Sequence, residues 1–237
     1  MFIYQIELTS KCNLSCSYCP HARLKRPKEH MDIKIVEKIL DFPFMWDIVG
    51  GHHFGEPLLH PDILKVAALC RSKGLGFGFS TNAELLTVEL FRKLVDSGLT
   101  WLKISFHTAK GRSMYDSLKD LFPDFALFSS DLEVKHDWAG LVNGEGLSPG
   151  AGEGDCIFHR YNLGVVSAQG EVLSCCMDAH GVSSIGSIFD FSPAEFLSLK
   201  NSIWTSLCKK CFMRENDEAL QNDHRFIMEV GRRAQVK

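Results

Sequence analysis

Three cysteines crowd the amino end in the string C-N-L-S-C-S-Y-C. They are Cys12, Cys16 and Cys19, and they follow directly on the apolar run Met1–Leu8. A chain that delivers three thiols to the end of its first strand must fold around whatever they bind. Three thiolates cannot saturate a cubane of four irons. They hold three corners and leave one iron with an open position, where a fully ligated cluster usually only carries electrons. Zinc is the first rival, but its knuckles use two C-x2-C-like pairs, and Cys12 to Cys16 is one residue wider than the commonest pair. Disulfides are the second. Nine cysteines is an odd number, and no signal-peptide pattern precedes them, so a reduced, cytoplasmic compartment is expected.

The bulk numbers limit the remaining classes. At 237 residues and 45% hydrophobic, the chain can bury one sizeable core, or one core plus a small appendage. A net charge of −3 supplies no basic field, so no nucleic-acid partner is expected. No apolar run of about 18 residues occurs, so no membrane span is expected either. The basic stretch His21–His30 (H-A-R-L-K-R-P-K-E-H) reads as a solvated loop. The sharper alternative is a docking face for an acidic electron donor.

Strand and helix signals alternate over residues 1–140. Strands are expected at Phe2–Leu8, Trp46–Gly50, Leu75–Ser80, Trp101–Phe106 and Leu127–Val134. Between them lie a helix capped by Asp32, one started by Pro61 and Asp62 and ended by Gly74, one from Thr87 to Ser97, and one over Arg112–Phe122. This alternation predicts an α/β fold with a parallel sheet and right-handed crossovers. Residues 141–155, rich in glycine, form a linker. Beyond it, Tyr161–Ser167 and Glu171–Cys175 read as a hairpin around Ala168-Gln169-Gly170. Ser192-Pro193-Ala194-Glu195 is a capping box that starts a helix. Residues 214–237 form a polar tail.

The C-x3-C-x2-C spacing after a strand, with aromatic Tyr18 before its third cysteine, resembles the radical S-adenosylmethionine (SAM) enzymes. The resemblance implies a partial, here shortened, (β/α) barrel over residues 1–140. It also implies a 4Fe-4S cluster on Cys12, Cys16 and Cys19, whose open iron chelates SAM and cleaves it to a 5′-deoxyadenosyl radical. Gly55-Glu56-Pro57 resembles the family's G-E-P segment, with Glu56 as the carboxylate for the SAM amino group. The usual doubled glycine is replaced by Phe54-Gly55. Tyr18 is expected on adenine. Ser80 and Asn82, and Ser105 and His107, at strand ends, resemble places where the family binds the SAM carboxylate and ribose. Strand-end turn chemistry would place the same residue types there.

Cys70 lies on an apolar helix face and reads as an inert core thiol. Cys156, the pair Cys175-Cys176, and Cys208-x2-Cys211 remain. Four of these thiols would serve one metal centre, and on spacing alone a zinc ribbon would do as well. Together with the hairpin and helix, the arrangement over residues 156–213 resembles the twitch extension, a shortened SPASM domain, and implies an auxiliary 4Fe-4S cluster on Cys156, Cys175, Cys208 and Cys211. The string G-E-V-L-S-C favours Cys175 over Cys176 as ligand.

The implied function is a radical SAM oxidoreductase. It would take a hydrogen atom from a small, sugar-like substrate and complete a two-electron oxidation through the auxiliary cluster, with electrons from a donor such as flavodoxin or ferredoxin. Asp178 is the expected base, with His107, Lys135 and His136 as alternatives. Trp138 can wall the substrate site. One alternative is an epimerase with Cys176 as hydrogen donor. Another is a peptide-modifying enzyme, although only eleven residues precede Cys12, too few for a leader-binding domain.

Overall fold

The computed structural model describes residues 1–130, 135–143, 147–148 and 155–211. Apolar strands alternate with capped helices along the first part of the chain: β1 (Phe2–Ile6), α1 (Ile33–Ile39), β2 (Ile48–Gly50), α2 (Ile63–Ser72), β3 (Gly76–Thr81), α3 (Val88–Ser97), β4 (Leu99–Ser105), α4 (Ala109–Leu121) and β5 (Ala126–Ser130). A short parallel pair, β6 (Lys135–His136) and β7 (Leu147–Ser148), follows. Then come α5 (Ile157–Arg160), β8 (Leu163–Val166), β9 (Glu171–Leu173), β10 (Ser184–Ser187) and α6 (Pro193–Ser198). No helix among the described residues is long and apolar enough to cross a membrane.

Local chemistry sets these boundaries. Asp32 caps α1 by accepting from the Lys34 amide, and Thr87 caps α3 by accepting from the Leu90 amide. The expected capping box starts α6, with Ser192 and Glu195 bonded reciprocally and Pro193 in the first turn. α4 begins at Ala109, ahead of the expected Arg112, because Thr108 supplies its cap. β2 starts at Ile48, not at Trp46, because Trp46 and Asp47 adopt left-handed backbone angles (φ 57° and 56°) that no strand accommodates. Residues 131–134 of the expected fifth strand lie outside the described residues, as does the tail.

One sheet runs through the whole fold in the order β10-β9-β8-β1-β2-β3-β4-β5. β1 to β5 pair in parallel. The hairpin after the linker extends this same sheet: β8 pairs in parallel with the free side of β1, with Phe2 opposite Leu163 and Ile6 opposite Val166. β9 and β10 then turn back antiparallel. Six strands are therefore parallel. The outer strands β5 and β10 are not hydrogen-bonded to one another, so the barrel is partial.

The strand period of two sends alternate residues to opposite faces. Phe77, Phe79, Leu102 and Ile104 join the main core under the helices, with Val36, Val66, Phe91 and Leu94. The opposite, inner face carries Trp101, packed with Ile48 and Ala126. A second small core joins Ile157, Phe158, Val165 and Leu173 to Phe2 and Tyr4 of β1. Gly78 makes the indole's position possible, because a Cβ there would lie 2.3 Å from the Trp101 ring and from its carbonyl oxygen. Gly78→Ala is therefore expected to lower unfolding stability by about 1–3 kcal/mol, the range for overpacking a close-packed interior, read from urea unfolding midpoints.

Candidate active site

The triplet loop leaves β1 through Thr9 and Ser10, whose hydroxyls donate to the carbonyls of Glu29 and Pro27 (3.1 and 3.0 Å). His21 donates from Nε2 to the Ser10 carbonyl at 3.0 Å. The Gly55-Glu56-Pro57 segment is pressed against the start of this loop. The Glu56 amide donates to the Lys11 carbonyl at 2.8 Å, and a Cβ on Gly55 would stand 2.0 Å from the Thr9 oxygen. Only glycine permits that approach.

Glu56 is buried. Its carboxylate accepts from the Thr81 hydroxyl (2.6 Å), the Asn82 amide (2.9 Å) and the Leu58 amide (3.2 Å). Burial raises its pKa, and these bonds oppose that shift. In this structure Glu56 fastens the end of β3 to the loop after β2. Pro57 opens the short turn that Glu56 caps and is not among the residues lining the cavity.

A cavity of about 550 Å³ opens over the inner face of the sheet. Cys12, Cys16 and Cys19 line it together with Tyr18, Gly55, Glu56, Ser80, Asn82, Ser105 and His107. The Tyr18 hydroxyl lies 2.6 Å from Nδ1 of His107, and the two rings are stacked 6° from parallel. Cys16 Sγ is 3.7 Å from the same nitrogen. Asn82 Nδ2 donates to Asn13 (2.9 Å) and lies 4.0 Å from Cys12 Sγ. Trp138 and Phe54 wall one side with rings 5.5 Å apart, and the Trp138 indole donates to the Tyr18 carbonyl at 2.9 Å. Trp138 reaches this position through a left-handed turn, φ 51°, followed by Ala139 and Gly140 in the same region.

The donor set of the triplet suits a cationic iron core. Burial, and then the neighbouring thiols, push the Cys19 thiol up to about 11, and burial raises Cys12 as well. Three crowded thiolates are costly alone and favourable around a metal centre. Among the described residues no three His, Cys, Asp or Glu side chains converge tightly enough to wrap one metal ion. Thiolates of a multi-iron cluster bind its separate corners, so the donor type fits such a cluster.

The second cysteine group is also assembled in one place. Cys156 senses Cys175 and Cys208, and Cys176 senses Cys175, Cys211 and Cys156. Cys175 is the more acidic of the adjacent pair: the Cys176 thiol donates to it, and the Met177 amide lies 3.3 Å from its sulfur. The same contact, with burial, holds Cys176 protonated. Cys70 is buried and pushed up to about 12 by desolvation.

A buried carboxylate joins the two regions. Glu7, just past β1, is fully enclosed. It receives both terminal nitrogens of Arg26, the Ala168 amide (3.1 Å) and the Phe54 amide (3.4 Å). Arg26 also donates to the Ala179 carbonyl at 2.9 Å. Beside it, Nε2–H of His53 donates to the Cys176 carbonyl at 2.7 Å, while Nδ1 stands 3.7 Å from Glu7. His53 also lines the cavity.

Asp178 is buried, and its carboxylate accepts from the amides of His180, Gly181 and Ser183 and from the Ser183 hydroxyl. These bonds hold its turn, and neither Asp178 nor Cys176 is among the described residues lining the cavity. The basic stretch is no fully solvated loop, because Arg26 and His21 point inward. The His136 side chain lies outside the described residues. Glu7 and His52 were missed by sequence reasoning. The one signal for Glu7 was a charge at the end of an apolar strand.

Comparison with known proteins places these features in context. The family model "Radical SAM superfamily" matches residues 6–121. Over 98 residues the chain is 35% identical to the tungsten-containing aldehyde ferredoxin oxidoreductase cofactor-modifying protein of Pyrococcus furiosus, covering 40% of this chain and 27% of that one. It is 24% identical to the S-adenosyl-L-methionine-dependent 2-deoxy-scyllo-inosamine dehydrogenase of Niallia circulans, covering 94% of this chain and 95% of that one. The chain thus spans about a quarter of the first relative and nearly all of the second. The solved structure of BtrN in complex with AdoMet and 2-DOIA shares the fold, with a TM-score of 0.72 at 22% identity, covering 89% of this chain and 93% of that one.

His52 gives a pH prediction. Burial, reinforced by Lys103 and His53, holds its imidazole down to about 3. Between about pH 6.5 and 3 the unfolded chain takes up a proton that the native state refuses. Stability that is fully present above pH 6.5 is therefore lost as pH falls, at up to about 1.4 kcal/mol per pH unit from this group. Urea midpoints measured from pH 7 to pH 4.5 should fall less steeply in His52→Gln than in the wild type.

Proposed function

We propose that this chain, whose residues 6–121 match the radical SAM superfamily model, is a radical SAM oxidoreductase that dehydrogenates a small, sugar-like or cyclitol substrate. Cys12, Cys16 and Cys19 would hold a 4Fe-4S cluster with SAM. Cys156, Cys175, Cys208 and Cys211 would hold an auxiliary 4Fe-4S cluster in a twitch-type segment. The observation that carries this reading is one cavity that gathers the triplet, Tyr18, Gly55 and the ends of β3 and β4, with His53 of its wall bonded to the second cysteine segment.

When bound, the two groups supply hydrogen-atom abstraction on the SAM side and an acceptor for the remaining electron on the other. The chain's own residues provide the setting. Glu56 fixes Thr81 and Asn82, so the end of β3 is rigid beside Cys12. Tyr18 offers a ring braced by His107. Phe54 and Trp138 give one side of the cavity an aromatic wall. A cavity of this volume falls in the small-ligand range. The relative matched nearly end to end is named as a dehydrogenase of an inosamine, which supports a small cyclic substrate. An external one-electron donor such as flavodoxin or ferredoxin completes the proposal.

The epimerase reading has a protonated Cys176 in its favour, but that thiol does not line the cavity.

Anaerobic reconstitution separates the two centres. The wild type should bind about eight irons, as two cubanes require, and cleave SAM to 5′-deoxyadenosine after dithionite reduction. Cys16→Ala should lose about half the iron and all cleavage. Cys208→Ala should also lose about half the iron, retain cleavage and lose oxidised product. About four irons plus one zinc in the wild type would rule out electron transfer through the second site.

A further inference from the structure

The triplet loop has an outer side as well as the side that faces the cavity. Its side chains alternate between the two. Cys12, Leu14, Cys16 and Tyr18 are half-buried and line the cavity, while Lys11, Asn13, Ser15 and Ser17 between them are exposed. A single layer of backbone and small polar side chains therefore separates the triplet from solvent on the outer side. A short helical turn, Pro20–Arg23, starts at Cys19 and carries the chain into the basic stretch. Arg23, Lys25 and Lys28 are exposed there. Lys28 is close enough to Cys19 and His21 for both to feel its charge. Lys25 stands in the same relation to His180, on the segment after the second cysteine pair.

Inward and outward side chains of the basic stretch do different work. Arg26 is engaged by Glu7 and the Ala179 carbonyl, and His21 by the Ser10 carbonyl. These anchors fix the loop. Lys11, Arg23, Lys25 and Lys28 stay outside it, and the ion pairs of the described residues involve none of them. Residues 8–30 contain one acidic residue, Glu29, whose carboxylate accepts from Gln169 at 2.9 Å. Four outward cations thus gather around the triplet in a chain whose net charge is −3. Like charges held together repel one another, and the same field speeds the encounter with an anionic partner.

We propose that the outer side of the triplet loop, bordered by Lys11, Arg23, Lys25 and Lys28, is the docking face for an acidic one-electron carrier protein. The carrier's acidic patch meets these cations, and its redox group comes to rest over Asn13, Ser15 and Ser17. One electron leaves the reduced carrier and enters the cluster that the triplet would hold; no bond forms or breaks. Delivery comes from the side away from the cavity, so the cavity stays closed around its contents while the electron arrives. The inference rests on the proposed function in taking the triplet as the site of an iron–sulfur cluster.

The test uses the anaerobically reconstituted enzyme with flavodoxin and, separately, ferredoxin. Anisotropy of the dye-labelled oxidised carrier reports affinity, and bleaching of the cluster absorbance by the reduced carrier reports electron delivery. At least one carrier should bind. Its reduction rate should fall about tenfold or more as salt rises from about 0.01 M to about 1 M, over which the Debye length shrinks from about 30 to about 3 Å. Arg23→Glu/Lys25→Glu should weaken binding and slow reduction about tenfold, and Arg23→Lys/Lys25→Arg should keep both within about twofold. Lys119→Glu/Lys200→Glu makes the same charge change near the end of α4 and beside the start of β1, and should behave as the wild type. Binding of neither carrier, a rate indifferent to salt, a wild-type rate in Arg23→Glu/Lys25→Glu, or an equal loss in Lys119→Glu/Lys200→Glu would each overturn the proposal. If Arg23→Glu/Lys25→Glu fails to fold, Arg23→Gln and Lys25→Gln decide singly, each expected to slow reduction about threefold. Photoreduced deazaflavin, a small reductant that needs no docking face, reports separately on the radical reading: with it the wild type should cleave SAM whether or not a carrier binds.

Discussion

A single buried carboxylate holds the working parts of this molecule in register. Glu7 binds Arg26 from the loop after the triplet, the Phe54 amide before Gly55-Glu56-Pro57, and the Ala168 amide in the hairpin turn. A charge in that position is costly unless every oxygen is satisfied, and removing one partner of such a buried pair typically costs about 3–5 kcal/mol. Four segments distant in sequence meet at one anion. The distance between the cavity wall and the second cysteine group follows from that meeting point.

This arrangement explains why two cysteine groups belong to one structural unit. β8 lies against β1, so the small core of the segment carrying Cys156 and Cys175 packs on Phe2 and Tyr4. His53 completes the connection by touching the cavity on one side and the Cys176 carbonyl on the other. A shared sheet fixes the separation of the two cysteine groups, where a hinge between two bodies would let it vary.

Much of this was legible in the chain. The strand and helix alternation, the caps at Asp32 and Ser192, and the hairpin at Gly170 all depend on local chemistry that sequence displays directly. The gathering of Tyr18, Ser80, Asn82, Ser105 and His107 beside the triplet also follows once strand ends are located. The parts that could not be read depend on long-range partners. Arg26 sits in a basic run that resembles solvated surface until Glu7 is brought to it. Asp178 looked like a free carboxylate because the turn amides that surround it have no signature of their own. The return of β8 to the edge of β1 leaves no trace in either strand, since both are short apolar runs.

That return has a cost during synthesis. The first strand leaves the ribosome early, yet one of its two neighbours, β8, is made only after the whole run of strands and helices and the linker. Until then β1 exposes an unpaired, apolar border able to pair with other chains. Slow closure of such distant contacts is the expected bottleneck of biogenesis. Low-temperature expression should therefore matter more for yield than any local weakness in the finished fold.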